Sequence, residues 1–333
     1  MPNKKLINDP EHIVKEMLEG FATGYGELVE KLPDSSVIVR KNKKKAGKVG
    51  LTIGNGAGHE PAVIGWVGEG MLDANAVGDV FAAPGADTIA EAVKASDRGN
   101  GVVLLVSNHS GDVLNAEMAV DLLAGEDIKV EPVILYDDIA SAPKGQEEER
   151  RGAVGTIFNY KITGAYAEEE EEIEKVKQMA ERVRDNTRSL SIAVEAGNSP
   201  VDGEKMFELP DDEVEIGMGV HGEVASGRTK MKPAAEIAEE MLTALLEDLE
   251  VESEEELLVI VNGNGGTTLM ELLIFYRQVA QLAEERGIKI YKPLIGEFIT
   301  TQEMKGASLS ICRAKEEFKP LWAASTEAPY FLW

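Results

Sequence analysis

Two apolar runs in this chain, 49–53 and 101–106, each break into a polar loop and then into a helical pattern, and a third run follows at 130–136. That repetition restricts the fold more than any other feature. An apolar run without alternation is the pattern of a strand covered on both faces, as in a parallel sheet. Strand, loop and helix in succession build a doubly wound α/β domain, whose ligands bind beyond the carboxyl ends of the strands. The first run ends in Gly54-Asn55-Gly56-Ala57-Gly58-His59-Glu60-Pro61 and the second in Ser107-Asn108-His109-Ser110-Gly111-Asp112.

Apolar spacing predicts a helix over 12–28, with His12 on the surface, and a short strand at 37–40. The lysine-rich stretch 41–48 reads as a solvated turn. Pro61 suits the first turn of a helix running toward Trp66. After a short apolar stretch at 79–83, Asp87 is placed to cap a helix through Ala95, and a helix follows over 113–123. The glutamates at 168–172 are expected to open a helix reaching Arg184, since acidic residues in a first turn favour the helix dipole. A division follows at 185–188, giving domains 1–188 and 189–333. The second half reads as strands at 189–195, 206–207, 213–220, 257–261, 288–295 and 308–312, with helices over 234–249 and 269–286. These complete a mixed sheet with helices.

At 333 residues the chain is long for one core, which also favours two domains. No apolar run of about 18 residues is present, so neither a membrane span nor a signal peptide is expected. A single cysteine, Cys312, excludes an internal disulfide and a thiolate metal cluster and fits a reducing cytoplasm. The net charge of −26 repels phosphate backbones and anionic lipid, so nucleic acid and membrane are excluded as partners.

The first loop is not a P-loop: the Gly47-Lys48 pair is followed by Val49. Nor does its G-x-G-x-G spacing fit the dinucleotide fingerprint, because His59 stands where the last glycine belongs. Open backbone amides around Gly56 and Gly58 suit a ligand hydroxyl, since no Cβ holds it away. A third segment, Gly217-Met218-Gly219-Val220-His221-Gly222-Glu223, strips the backbone around one of only four histidines. On the residues alone, each histidine can be structural and Asp112 can simply cap the helix after it.

Together these segments resemble the K subunit of dihydroxyacetone kinases. The resemblance rests on G-N-G-A-G-H-E-P at 54–61, N-H-S-G-D-V-L-N at 108–115 and G-M-G-V-H-G-E at 217–223. It is extended by G-E-G-M-L-D-A at 68–74, G-D-V-F-A at 78–82, R-R-G at 150–152, V-N-G-N-G-G-T at 261–267 and E-M-K-G at 303–306. It spans nearly the whole chain in order. It implies two α/β domains of the type shared with DegV proteins, the first a three-layer Rossmann-like parallel sheet, the second a mixed sheet with helices. It also implies that His221 adds through its imidazole nitrogen to a ketone carbon, forming a hemiaminal. In that scheme His59 assists as acid, base and hydrogen-bonding group, and Asp112 is the base for the attacking hydroxyl.

The resemblance further implies that this chain binds no cofactor. Mg-ATP or Mg-ADP sits on a separate L-type subunit, the substrate is a short ketose, and the K subunit is a homodimer. It does not choose between ATP and a phosphotransferase-system relay as donor. The chain departs from the family around the substrate: Ser107 stands where a lysine is typical, His109 replaces a tyrosine and Ala83 replaces a serine. Exchanging a charged donor for a short hydroxyl changes the polar group that can be bound. Dihydroxyacetone and a larger ketose such as erythrulose therefore both remain open, as does a non-catalytic ketose sensor. A lipid-binding role of the more distantly related DegV type is disfavoured, because it does not need His221.

Overall fold

The computed structural model describes residues 4–219 and 227–332. It divides into two compact units assembled from interleaved stretches of chain. One comprises Leu6–Leu135, Ile157–Arg184 and Pro320–Trp333; the other comprises Met1–Lys5, Tyr136–Thr156 and Asp185–Lys319. The expected single division at 188/189 is thereby corrected. The cause is backbone pairing: Ile139 N–H donates to the Ser189 carbonyl at 3.1 Å and Ser189 N–H to the Asp137 carbonyl at 2.7 Å. These bonds tie 136–156 to the later strands rather than to the sheet it follows.

In the first unit, β1 (Val29–Lys31), β2 (Val37–Arg40), β3 (Gly50–Ala57), β4 (Ala74–Val80), β5 (Val102–Ser107) and β6 (Val130–Leu135) form a sheet in the order β1-β2-β4-β3-β5-β6. The strands from β4 to β6 run parallel, whereas β2 is antiparallel to both β1 and β4. The expected parallel sheet is thus real for four strands and carries an antiparallel edge. The helices are α1 (Ile13–Gly24), α2 (Ala86–Ser96), α3 (Ser110–Leu123), α4 (Thr156–Ala167) and α5 (Ile173–Asp185). Alternate strand residues Val37, Val39, Ala74, Ala76, Val102, Leu104 and Val106 pack with α2 and α3 in one core, as a two-residue period requires.

Several local expectations fail for tertiary reasons. The glycine-rich stretch after Ile53 is not a loop, because β3 continues through Ala57. A Cβ on Gly54 would stand 2.9 Å from the Pro84 ring, so that glycine serves close packing within a strand. No α-helix follows Pro61; only Ile64–Trp66 forms a 3-10 turn. The chain there runs beside a terminal hairpin, β14 (Glu327–Ala328) with β15 (Phe331–Leu332), bridged by Glu69 and Glu327. α2 is capped by Gly85, with Asp87 inside its first turn. The glutamates at 168–172 lie between α4 and α5, and the carboxylate of Glu168 accepts from Arg40 and from the Gly70 amide.

The lysine-rich turn is not wholly solvated either. The Lys44 ammonium is fully buried and donates to Asp73 at 2.8 Å, while Leu51 N–H donates to the same carboxylate oxygen. Trp66 and Trp322 are buried as packing residues, against Phe331 and Phe158 respectively.

In the second unit, β7 (Thr187–Glu195), β8 (Glu213–Ile216), β9 (Gly227–Lys230), β10 (Glu256–Gly263), β11 (Lys289–Ile290), β12 (Leu294–Glu297) and β13 (Lys305–Arg313) form a mixed sheet, ordered β11-β10-β13-β7-β8-β9 with β12 also on β10. Residues 206–207, expected as a strand, are not one; Met206 and Phe207 pack instead with Ala193, Met218 and Met304. Helices α6 (Ala234–Leu249) and α7 (Leu269–Glu285) cover one face together with Leu190, Ile192, Leu309 and Ile311. The intervening serines face the other way and are buried too. They satisfy one another across the register, Ser189 with Ser310 at 2.6 Å and Ser191 with Ser308 at 2.8 Å, as buried hydroxyls must. Cys312 is buried on β13, and burial pushes its thiol up to about 12. Among the described residues no helix is long and apolar enough to cross a membrane.

Candidate active site

The carboxyl ends of β3, β4 and β5 lie on one edge of the first sheet because the three strands are parallel. The segments leaving them carry seven of the candidate residues. At the end of β3, His59 is 3% exposed, and its ring lies against Phe81, with centroids 5.2 Å apart. Phe81 itself has φ +57°, a left-handed conformation at the turn after β4, and its N–H donates to the Ala57 carbonyl at 2.8 Å.

The two glycines before His59 also have a packing role. A Cβ on Gly56 would lie 2.8 Å from the Ala82 carbonyl, and one on Gly58 only 2.7 Å from the Phe81 ring. Their missing side chains admit the 81–82 backbone and ring. The Gly58 amide does not stand open, since it donates to both carboxylate oxygens of Glu60 at 3.0 and 3.2 Å. Burial raises the Glu60 carboxyl against the pull of that amide.

The turn after β4 also meets α3. A Cβ on Gly111 would touch the Ala83 methyl at 3.3 Å, and the Asn115 side-chain amide donates to the Pro84 carbonyl at 2.8 Å. Ser107 ends β5 and is buried, and its carbonyl accepts from the His109 amide at 2.7 Å. His109 is the residue before α3 and makes no side-chain cap; its carbonyl accepts from Val113 N–H. Asp112 is half-buried in the first turn, not the cap itself. The turn 81–84 thus links the His59 segment on one side to the Asp112 helix on the other. Nothing in the sequence pattern marks Phe81 for that part, because its requirement is a contact 22 residues away.

His221 falls within 220–226, outside the described residues. The approach to it is described. Gly217, with φ +83°, donates its N–H to the Ser191 carbonyl at 2.7 Å, and its own carbonyl accepts from Arg151 at 3.2 Å. The neighbouring Arg150 is 1% exposed and pairs with both oxygens of Asp248, at 2.8 and 2.6 Å. Arg188 donates to the same carboxylate. Arg150 and Arg151 thus each pair with a carboxylate, Asp248 and Asp138 respectively. The turn at 263–266 is a tight packing turn: a Cβ on Gly265 would collide with the Gln302 carbonyl, and α7 begins with its own capping box at Thr268 and Glu271.

An open sheet with four parallel strands, whose outgoing segments carry these polar residues, defines a doubly wound α/β protein. The particular family follows from comparison: the chain belongs to the Dak1 family, whose Dak1 domain model matches residues 19–330. It is 41% identical over 317 residues, 95% of each chain, to the dihydroxyacetone-binding subunit DhaK of a PTS-dependent dihydroxyacetone kinase from Lactococcus lactis. It is 36% identical to a D-erythrulose kinase from Mycolicibacterium smegmatis, over 98% of this chain and 56% of that one. Among solved structures, the dihydroxyacetone kinase operon co-activator Dha-DhaQ superposes with a TM-score of 0.88 at 30% identity, covering 95% of this chain and 98% of that one.

Proposed function

We propose that this chain is the substrate-binding subunit of a short-ketose kinase, carrying dihydroxyacetone or a close relative on His221. The observation that supports this reading is the 81–84 turn, which meets His59 through Phe81 and the first turns of the Asp112 helix through Ala83 and Pro84, in a chain matched over 95% of its length by a dihydroxyacetone-binding subunit. In the addition, the neutral His221 imidazole forms an N–C bond to the ketone carbon. The C=O π bond breaks, and its oxygen receives the proton that the imidazole gives up, so the adduct is a neutral hemiaminal. A histidine is mostly neutral at pH 7, as this step needs.

His59 hydrogen-bonds the carbonyl oxygen and moves that proton. Asp112 takes the proton of the terminal hydroxyl as its oxygen attacks phosphorus. Gly56 and Gly58 shape the wall by letting Ala82 and Phe81 close in, and Ser107, His109 and Ala83 surround the bound ketose. The phosphoryl group and its Mg-nucleotide belong to a separate L-type subunit, either using ATP or recharged through a phosphotransferase relay. The K chain is a cytoplasmic homodimer in this scheme.

The erythrulose kinase relative supports erythrulose as a second candidate substrate, with Ser107 offering a short hydroxyl where the family typically has a lysine. A coupled assay with a DhaL-type subunit, run on dihydroxyacetone and both erythrulose enantiomers, tests the reading. Turnover of at least one ketose that vanishes in Asp112→Asn, with ketone binding retained, is expected. Ketone binding without any turnover would favour the sensor reading.

A further inference from the structure

Not every polar side chain at the carboxyl edge of the first sheet has a part in the scheme above. β3 has β4 on one side and β5 on the other, so the crossover from β3 to β4 and the next, from β4 to β5, run in opposite directions. A doubly wound sheet opens its ligand crevice at such a reversal, here between the carboxyl ends of β3 and β5. Asn55 stands there. The last paired residues of the two strands are Gly54 and Val106, and one step further along Asn55 lies beside Ser107.

Strand alternation fixes the face. A Cβ on Gly54 would meet Ile89 of α2, so the next residue, Asn55, looks to the opposite side of the sheet. Val106 packs in the core with α2 and α3, so Ser107 shares the face of Asn55. Asn75 of β4, paired with Ile53, lies on that face as well. Asn55 is half-buried and Asn75 is 1% exposed, and the Oδ1 atoms of both are buried with no hydrogen-bond partner among the described residues. Packing alone would favour apolar side chains here, because a buried amide oxygen without a donor costs stability.

We propose that the Asn55 carboxamide is a specificity-determining group of the ketose site, hydrogen-bonding the hydroxyl at the end of the ketose that is not phosphorylated. Asp112 belongs to α3, which packs on the α2 side of the sheet, whereas Asn55 faces the other side. The two groups therefore serve opposite ends of one short ketose. A ligand hydroxyl supplies the hydrogen that Oδ1 lacks. Asn55 thereby takes up a polar contact for which Ser107, standing where a lysine is typical, is too short. The proposal rests on the kinase reading above.

The test uses the full chain with a DhaL-type subunit and compares dihydroxyacetone with hydroxyacetone. The single hydroxyl of hydroxyacetone must occupy the Asp112 end to be phosphorylated, which leaves a methyl group at Asn55. The quantity read is the ratio of the two kcat/KM values, in which any loss of folded protein cancels. Asn55→Leu, of similar size, should shrink the wild-type preference for dihydroxyacetone about tenfold. Asn55→Asp, which keeps an acceptor oxygen, should retain most of it. A preference in Asn55→Leu within about twofold of wild type overturns the proposal, and so does an equal loss in both variants. A wild-type chain that phosphorylates neither ketone sinks the kinase reading itself, and the proposal with it.

Discussion

The His59 imidazole rests against the Phe81 ring at 5.2 Å, with the planes tilted by 56°, and Gly58 leaves room for that ring by having no side chain. The pair ties the end of β3 to the turn after β4, and through Ala83 and Pro84 to the helix bearing Asp112.

Gly58→Ala is the sharpest probe of that contact. Its φ of +104° is strained for any Cβ, and the new methyl would stand 2.7 Å from Phe81. Unfolding free energy should fall by about 1–3 kcal/mol, with ketone affinity falling alongside. A urea melt unchanged from wild type would mean that the ring and the glycine are not packed as described.

Asp248 binds two arginines that are 1% and 9% exposed, so removing it strands their charges. Asp248→Ala should cost about 3–5 kcal/mol in chemical denaturation. Burial alone would raise this carboxyl, yet Arg150 and Arg188 hold it below the usual range. Its stabilisation is therefore present above the ordinary aspartate pKa and lost as pH falls through the depressed one. Wild type should lose its advantage over the variant on acidification; an advantage that grows as pH falls would contradict the pairing.

Asp137 predicts the opposite slope. Burial lifts it from 3.8 to about 6, against the pull of Ser189 and the Ala153 and Gly155 amides and with Asp138 adding to the rise. Between those values the folded chain holds a proton that the unfolded chain has released. The associated stability is complete below the unfolded pKa and is lost as pH rises through about 6, a swing of about 3 kcal/mol. Asp137→Asn has no such proton, so wild type should weaken relative to it from pH 4 to pH 7. Parallel stability curves would show that Asp137 does not titrate there.

Much of this arrangement was legible in the sequence, where local signals and packing agree. Residues 37–40 and 234–249 form their elements as read, because apolar period and turn residues both mark them. The strand-loop-helix pattern likewise put the His59 and Asp112 segments just after strands, and β3 and β5 do pair in parallel. The glycines at 54 and 56 misled, since their reason is the nearness of Pro84, Ile89 and Ala82, which no local pattern encodes. Lys44 looked solvated for the same reason: its partner Asp73 lies 29 residues on. The interleaving of the two units was invisible because it rests on single backbone bonds between 137–139 and Ser189. Arg151 was legible only as part of the R-R-G match, since one of its partners is the Gly217 carbonyl and carbonyls carry no sequence signal.

The central claim is that His221 holds the substrate covalently. A crystal of this chain soaked with dihydroxyacetone measures it directly. Electron density continuous from the His221 imidazole nitrogen to a tetrahedral carbon is the predicted result. A planar ketone lying free of His221, or an empty site at saturating ketone, would contradict it.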